Sequence, residues 1–176
     1  MSDTFWVFGY GSLMWNPGFP HRETVPATLI GAHRSLCVYS WIYRGTEEFP
    51  GLVFGLDRGG ACRGLAFAVD PADRDEVIAY LRAREQVTAV YVEATRPVRI
   101  AGRTESAPAL TYFADRRHPQ YAGRLPIETQ VDIVRRASGR AGPNGDYILS
   151  TAAHLAELGI RDRAVESVAA ALRLRA

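Results

Sequence analysis

The chain has 176 residues, 47% of them hydrophobic and 23% charged, which is the composition of one globular unit with a sizeable core and argues against a disordered or membrane-embedded chain. Its formal net charge is +2 and all 21 basic side chains are Arg, so Schiff-base, phosphate-loop and catalytic-base lysine chemistry are excluded. The arginines are scattered, so no basic block marks a nucleic-acid partner, and an Arg-only set fits a GC-rich genome wherever fork geometry is not needed.

The N-terminal Ser2-Asp3-Thr4 run is polar and lacks the basic start of a signal peptide, and no apolar run reaches about 18 residues. The expectation is a soluble, cytoplasmic protein. Phe5 to Gly9 is a continuous apolar and aromatic run that reads as a buried strand, followed by the loop Gly9-Tyr10-Gly11-Ser12-Leu13. Asn16-Pro17-Gly18 and Pro20 forbid a helix directly after it. Strand character covers Ala27 to Tyr43 and Leu52 to Leu56, with a turn-rich stretch from Arg44-Gly45-Thr46 to Pro50-Gly51 between them. Asp57 to Gly60 reads as a hairpin turn and Arg63 to Val69 as its return strand. Asp70-Pro71 opens the clearest helix, with Asp73, Asp75 and Glu76 at its electropositive end, running to about Glu85. Strands return at Ala89 to Ile100 and Ala109 to Phe113 around a Gly102 turn. Helices are expected over 127–138, 145–158 and 162–175, with Gly139 and Gly159 as stops. The sum is one α+β domain, a mixed sheet or small barrel with an inserted helix and a helical C-terminal third.

Cys37 and Cys62 lack the spacing of a zinc site or disulfide framework and read as buried free thiols. His21, His33, His118 and His154 are well separated, and isolated histidines are more often structural than ligands. The Gly9-Tyr10-Gly11 loop fails the dinucleotide fingerprint, because Met14 stands where a third glycine belongs and no helix follows. Two readings of it remain: a backbone nest for a carboxylate or oxyanion with Ser12 beside it, or a tight turn that needs glycine. Val77, Ile78, Leu81 and Glu85 share one helix face. Glu85 is thus either a desolvated carboxylate at the negative helix end, with the raised pKa of a general base, or a helix-end acid paired with an arginine such as Arg84 or Arg63.

Phe5 to Asn16, FWVFGYGSLMWN, resembles the N-terminal signature of the ChaC family of glutathione-specific gamma-glutamylcyclotransferases. The likeness continues through Arg34, Arg44-Gly45-Thr46, Pro50-Gly51, Cys62-x-Gly64, Arg84-Glu85, Thr111-Tyr112, Tyr121-x-Gly123, Ala141-Gly142-Pro143-Asn144 and Tyr147-Ile148-Leu149. The resemblance implies a single ChaC domain over 1–176, a mixed β-barrel of the gamma-glutamylcyclotransferase-like type with an inserted helix and C-terminal helices. It implies cyclisation of glutathione to 5-oxoproline and Cys-Gly with no metal or organic cofactor. The substrate loop maps to Val7, Phe8, Gly9, Tyr10, Gly11 and Ser12, and the catalytic glutamate to Glu85. The implied partner is a small molecule, with no nucleic acid, no membrane and no defined oligomer. Gln86-Val87-Thr88-Ala89-Val90-Tyr91 stands where the family often has a Gly-Tyr soon after the Arg-Glu pair. Alternatives are a cyclotransferase for other γ-glutamyl compounds or a non-catalytic amino-acid binding module. Charge recognition in a lysine-free pocket falls to arginine, with Arg34 and Arg44 the first candidates.

Overall fold

A computed structural model describes residues 4–87 and 89–174. The expected polar start at Ser2-Asp3, Thr88 in the segment after Glu85, and the expected helix end at Arg175 lie outside the described residues. The elements in chain order are β1 (Phe5–Gly9), β2 (Glu23–Ser40), β3 (Gly51–Val69), α1 (Arg74–Glu85), β4 (Tyr91–Ile100) and β5 (Ser106–Ala114). They continue with α2 (Ile127–Arg136), β6 (Ser138–Gly139), β7 (Gly142–Pro143), α3 (Asn144–Glu157) and α4 (Arg163–Arg173). This is the expected α+β barrel with an inserted helix and C-terminal helices. Among the described residues no helix is long and apolar enough to cross a membrane. The chain forms two compact units, one of Met1–Arg34 with Leu56–Asp115, the other of Ser35–Gly55 with Arg116–Ala176. Two of the boundaries fall inside β2 and β3.

The first unit carries the barrel, closed in the order β1-β3-β2-β4-β5. β1 is antiparallel to β3, with Phe5 opposite Val69 and Gly9 opposite Leu65, and parallel to β5, with Val7 opposite Leu110. Successive strand side chains point to opposite faces, and the neighbours Val7 and Phe8 are both buried, so both faces of β1 are covered, as its continuous apolar run requires. Trp6, Phe8, Tyr10, Leu29, Leu56 and Val98 belong to one core cluster. Gly64 explains itself here: a Cβ on it would lie 2.2 Å from the Gly9 carbonyl oxygen and 2.9 Å from the Phe8 ring. Glycine lets β3 approach β1 at the point where the loop leaves the barrel.

The expected hairpin at Asp57 to Gly60 does not form. β3 runs unbroken through it, and Gly59 (φ 96°) and Gly60 (φ 73°) supply positive φ within the strand, as in a bulge, which deflects a strand without reversing it. α1 forms as expected. Asp70 accepts from the Ala72 N–H, a 3-10 turn over Pro71–Asp73 leads in, and Val77 and Leu81 are buried along one face. Ala89 has φ 58°, the only positive-φ non-glycine among the described residues, and it turns the chain after Glu85 towards β4.

In the second unit Asn144 replaces a missing ladder partner: its Oδ1 accepts the Leu52 N–H at 2.8 Å and its Nδ2 donates to the Leu52 carbonyl at 2.8 Å. Gly159 (φ 68°) ends α3, with its own N–H on Ala156 and the Ile160 N–H on Leu155. Gly139 is no such stop. It lies in β6, and a Cβ there would fall 2.5 Å from the Ile42 carbonyl oxygen, so its role is close backbone approach. Cys37 and Cys62 are buried and form no disulfide.

Gly64→Ala is expected to lower stability by about 1–3 kcal/mol in urea unfolding, because both neighbours of the added Cβ are held by the barrel. An unchanged midpoint would remove close approach as the reason for this glycine.

Candidate active site

The site is built from the exit of β1 and the end of α1. The Phe8 carbonyl accepts from the Thr111 hydroxyl at 3.1 Å, and the Tyr10 carbonyl accepts from Arg34 Nε at 2.5 Å. Arg34 is buried, and its Nη2 also donates to the Arg63 carbonyl at 2.7 Å. Arg34 therefore works as a bracket on the chain entering the loop. Arg44 lies in the second unit, where it donates to the Pro143 carbonyl and its guanidinium stands over the Tyr147 ring.

Beyond Tyr10 the chain turns tightly over Ser12–Met14, with the Met14 N–H on Gly11 and the Asn16 N–H on Ser12. Pro17 has no N–H to continue a helix. Of the residues mapped to a substrate loop, Val7, Phe8 and Gly9 are strand and buried, so only their backbone could serve; Tyr10 is buried, Gly11 half-buried and Ser12 exposed. A Cβ on Gly11 would meet no protein atom within 4 Å, whereas one on Gly9 would press on Leu13 and Phe67 at 3.1 and 3.2 Å. Gly9 is a packing glycine, and Gly11 opens onto empty space.

Glu85 is the last residue of α1, with its side chain 19% exposed. Burial raises its pKa above the usual glutamate value, and Arg84 opposes that rise. Arg84 Nε lies 3.7 Å from Glu85 Oε1, an ion pair longer than a hydrogen bond. The rest of the guanidinium is engaged elsewhere. Nη1 donates to the Asn16 and Pro17 carbonyls at 2.6 and 3.1 Å and to the Tyr80 hydroxyl at 3.1 Å, and Nη2 donates to the Ser12 hydroxyl at 2.9 Å. Tyr80 and Arg84 sit one turn apart on α1. Gly18 (φ 72°) makes room for the Tyr80 ring, since a Cβ there would overlap its hydroxyl. The structure thus joins the Ser12 loop to Glu85 through Arg84.

A second acid lies close by. Glu93 of β4 accepts two hydrogen bonds from Arg82, at 2.9 and 3.0 Å, and one from the Tyr112 hydroxyl at 3.0 Å. Those bonds, Arg82 first, hold Glu93 below the usual glutamate value against the effect of its burial. Tyr112 is pushed far above the usual phenol range by burial, then by Glu93, with Glu85 adding to it. Sequence reasoning did not select Arg82 or Glu93, because their pairing depends on how α1 packs on β4. The Arg82-to-Glu85 spacing of one helical turn was the available signal. The histidines are engaged away from Glu85: His21 with the Phe19 carbonyl, His33 of β2 with the Gly59 carbonyl of β3, His118 with the Gln120 N–H and His154 with the Ser150 carbonyl.

The closed mixed barrel with its helices is a fold shared with solved gamma-glutamyl cyclotransferase structures. It superposes on the crystal structure of a yeast gamma-glutamyl cyclotransferase specific to glutathione with TM-score 0.87 and 18% identity, covering 97% of this chain and 96% of that one. A family model described as ChaC-like protein matches residues 5–175, and the chain belongs to the ChaC family. The glutathione-specific gamma-glutamylcyclotransferase of Escherichia coli (strain K12) is 34% identical over 158 residues, 89% of this chain and 68% of that protein. Gamma-glutamylcyclotransferase 2-3 of Arabidopsis thaliana is 32% identical over 96% of this chain and 88% of its own length.

A carboxyl whose pKa is raised by folding keeps its proton in the native state where the unfolded chain has released it. Its contribution to stability is full below the usual glutamate range and is lost as pH rises through the folded-state value. Glu85→Gln does not ionise. Urea unfolding between about pH 4 and about pH 8 is expected to show the variant gaining on the native protein as pH rises; a difference that stays flat with pH would show that Glu85 titrates normally.

Proposed function

We propose that this chain is a cytoplasmic glutathione-specific gamma-glutamylcyclotransferase, a single ChaC domain over 1–176, which converts glutathione to 5-oxoproline and Cys-Gly. The observation that carries the reading is the link from Ser12 through Arg84 to Glu85, in a chain whose curated ChaC relatives bear that activity in their names. It sets a half-buried acid with a raised pKa beside a backbone loop that opens onto free space.

In this mechanism the nucleophile arrives on the substrate. The α-ammonium of the γ-glutamyl group, which ordinarily titrates at about pH 8, gives a proton to Glu85, and the freed amine attacks the γ-carbonyl carbon. A five-membered lactam closes as the attacking nitrogen gives up a second proton, the bond to the cysteinyl nitrogen breaks, and Glu85 passes both protons on to that nitrogen, which leaves as an ammonium. No water is consumed. Holding the chain bent converts the attack into a near-attack geometry. The raised pKa of Glu85 suits both halves, since a strongly acidic carboxylate would be a poor base and a slow donor is no better. The backbone of Tyr10, Gly11 and Ser12, reached from β1 through Val7, Phe8 and Gly9, fixes the α-carboxylate or receives the developing oxyanion.

Purified protein incubated with glutathione is expected to release 5-oxoproline and Cys-Gly in equal amounts. Glu85→Gln should keep the native circular dichroism spectrum and lose about 10²–10⁴-fold in rate, the scale of a missing general acid and base. Binding of glutathione without product would instead mark a binding module, and turnover confined to other γ-glutamyl compounds would change the substrate. Near-native turnover by Glu85→Gln would take the acid out of the reaction.

Gly11→Ala separates a substrate-facing glycine from a folding one. Its Cβ meets no protein atom, so the urea midpoint should stay within about 0.5 kcal/mol of the native protein while KM rises about tenfold. Loss of stability with unchanged KM would make the loop a structural turn.

A further inference from the structure

An arginine fork that approaches a carboxylate side-on grips it with its Nε and Nη2 protons, which point the same way from one edge of the planar group. Arg82 shows the closed form, Nε and Nη2 donating to the two oxygens of Glu93 at 2.9 and 3.0 Å. Arg84 offers the same edge to Glu85 and leaves it open. Its Nε stands 3.7 Å from Glu85 Oε1, and the Nη2 that would complete the pair donates instead to the Ser12 hydroxyl at 2.9 Å. Both side chains are sheltered, Arg84 20% and Glu85 19% exposed, so a closed pair would be only partly screened by water and the open form calls for a cause.

The cause lies in the acceptors on the far side of the guanidinium. Nη1 is fixed on the Asn16 and Pro17 carbonyls and the Tyr80 hydroxyl. Those bonds anchor one corner of the plane, about which it can still pivot. Ser12 holds the next corner, Nη2, from the loop side and stops the pivot towards the acid. The other titratable or charged groups about Glu85 do not replace Arg84. Tyr112 of β5 faces it as a neutral phenol, and Arg82 of α1 and Glu93 of β4 are paired with each other.

Resting on the cyclotransferase reading above, we propose that Ser12 and Arg84 are positioning residues for Glu85: the Ser12 hydroxyl latches Nη2 to the loop and keeps the fork from closing on the carboxylate, which stays free to take protons from the substrate amine. A carboxylate gripped on both oxygens, the state of Glu93, is a weak base. The latch is therefore what separates the working acid from the structural one, although each has an arginine within reach.

The test reads Glu85 directly, by carbon NMR titration of protein labelled at the glutamate side-chain carboxyl, its signal identified by its loss in Glu85→Gln. Ser12→Ala frees Nη2, so Glu85 is expected to titrate at lower pH, at about tenfold higher proton concentration, the low end of what an adjacent arginine does to a carboxylate. Ser12→Thr keeps the hydroxyl and should titrate as the native protein does. Arg84→Gln removes the charge that opposes the effect of burial and should titrate higher. Adding Ser12→Ala to Arg84→Gln should then change nothing, because the latch has no fork left to hold. A serine that merely shaped the loop would act on Glu85 with or without Arg84. Equal shifts from Ser12→Ala in the two backgrounds, or no shift in the native one, would overturn the assignment. Should Arg84→Gln fail to fold, Ser12→Ala and Ser12→Thr carry the comparison: a downward shift confined to the alanine variant supports the latch, and the same titration in both overturns it. The measurement consumes no substrate. Absence of 5-oxoproline from the native protein, with these titrations as stated, would sink the reaction and leave the latch standing; product formation with an unmoved titration would do the reverse.

Discussion

The candidate site depends on one guanidinium. Arg84 sits at the end of α1 and satisfies two backbone carbonyls, at Asn16 and Pro17, in a segment whose proline and positive-φ glycine bar it from regular structure. It adds the Ser12 and Tyr80 hydroxyls. The loop leaving β1 is thereby fastened to the helix that presents Glu85. Arg34 performs the matching service on the barrel side, clamping the Tyr10 carbonyl. Between the two arginines, the short stretch from Tyr10 to Pro17 is held at both ends without a ladder of its own.

The same commitment of Arg84 decides the state of Glu85. An arginine whose fork is free to face a carboxylate closes on it with two short hydrogen bonds and depresses its pKa, as Arg82 does to Glu93 at 2.9 and 3.0 Å. Arg84 cannot, because both of its terminal nitrogens are engaged by the loop and the Tyr80 hydroxyl. Only Nε is left facing Glu85, at 3.7 Å. Its charge moderates the effect of burial but does not reverse it, and Glu85 remains raised. Two glutamates near one end of α1, each with an arginine at hand, are thus driven in opposite directions by where those arginines spend their donors.

β1, the break after it, α1 to within its lead-in turn, and the three C-terminal helices were all legible, since each rests on local periodicity or on proline and glycine chemistry. Glu85 was legible as well, because its place on the Val77–Leu81 face follows from helical spacing alone. What failed to read was the sense of Gly59-Gly60. A pair of glycines marks a departure from ordinary strand dihedrals but not whether the chain reverses or is only deflected, and pairing with β1 and β5 selects deflection. The β6–β7 pair was invisible for a similar reason: two-residue strands carry no period. Arg84 was named as a possible ion-pair partner of Glu85 and as part of the Arg84-Glu85 pair, not as a clamp on the loop. Its acceptors lie some seventy residues upstream, on a loop whose approach to α1 no local pattern encodes.

The lysine-free composition takes on a different aspect in this light. At exposed positions where no fork geometry is needed, Arg and Lys can serve alike. Arg34, Arg82 and Arg84 are another matter. Arg34 spans two carbonyls from separate chain segments, Arg82 grips both oxygens of one carboxylate, and Arg84 divides its donors between a loop and an acid. An ammonium presents its three protons from a single atom, so it could satisfy one of these acceptors well but could not hold two groups apart at a fixed separation. At these positions the planar fork decides which cation is used, and a lysine at any of the three would release the group that the second arm holds.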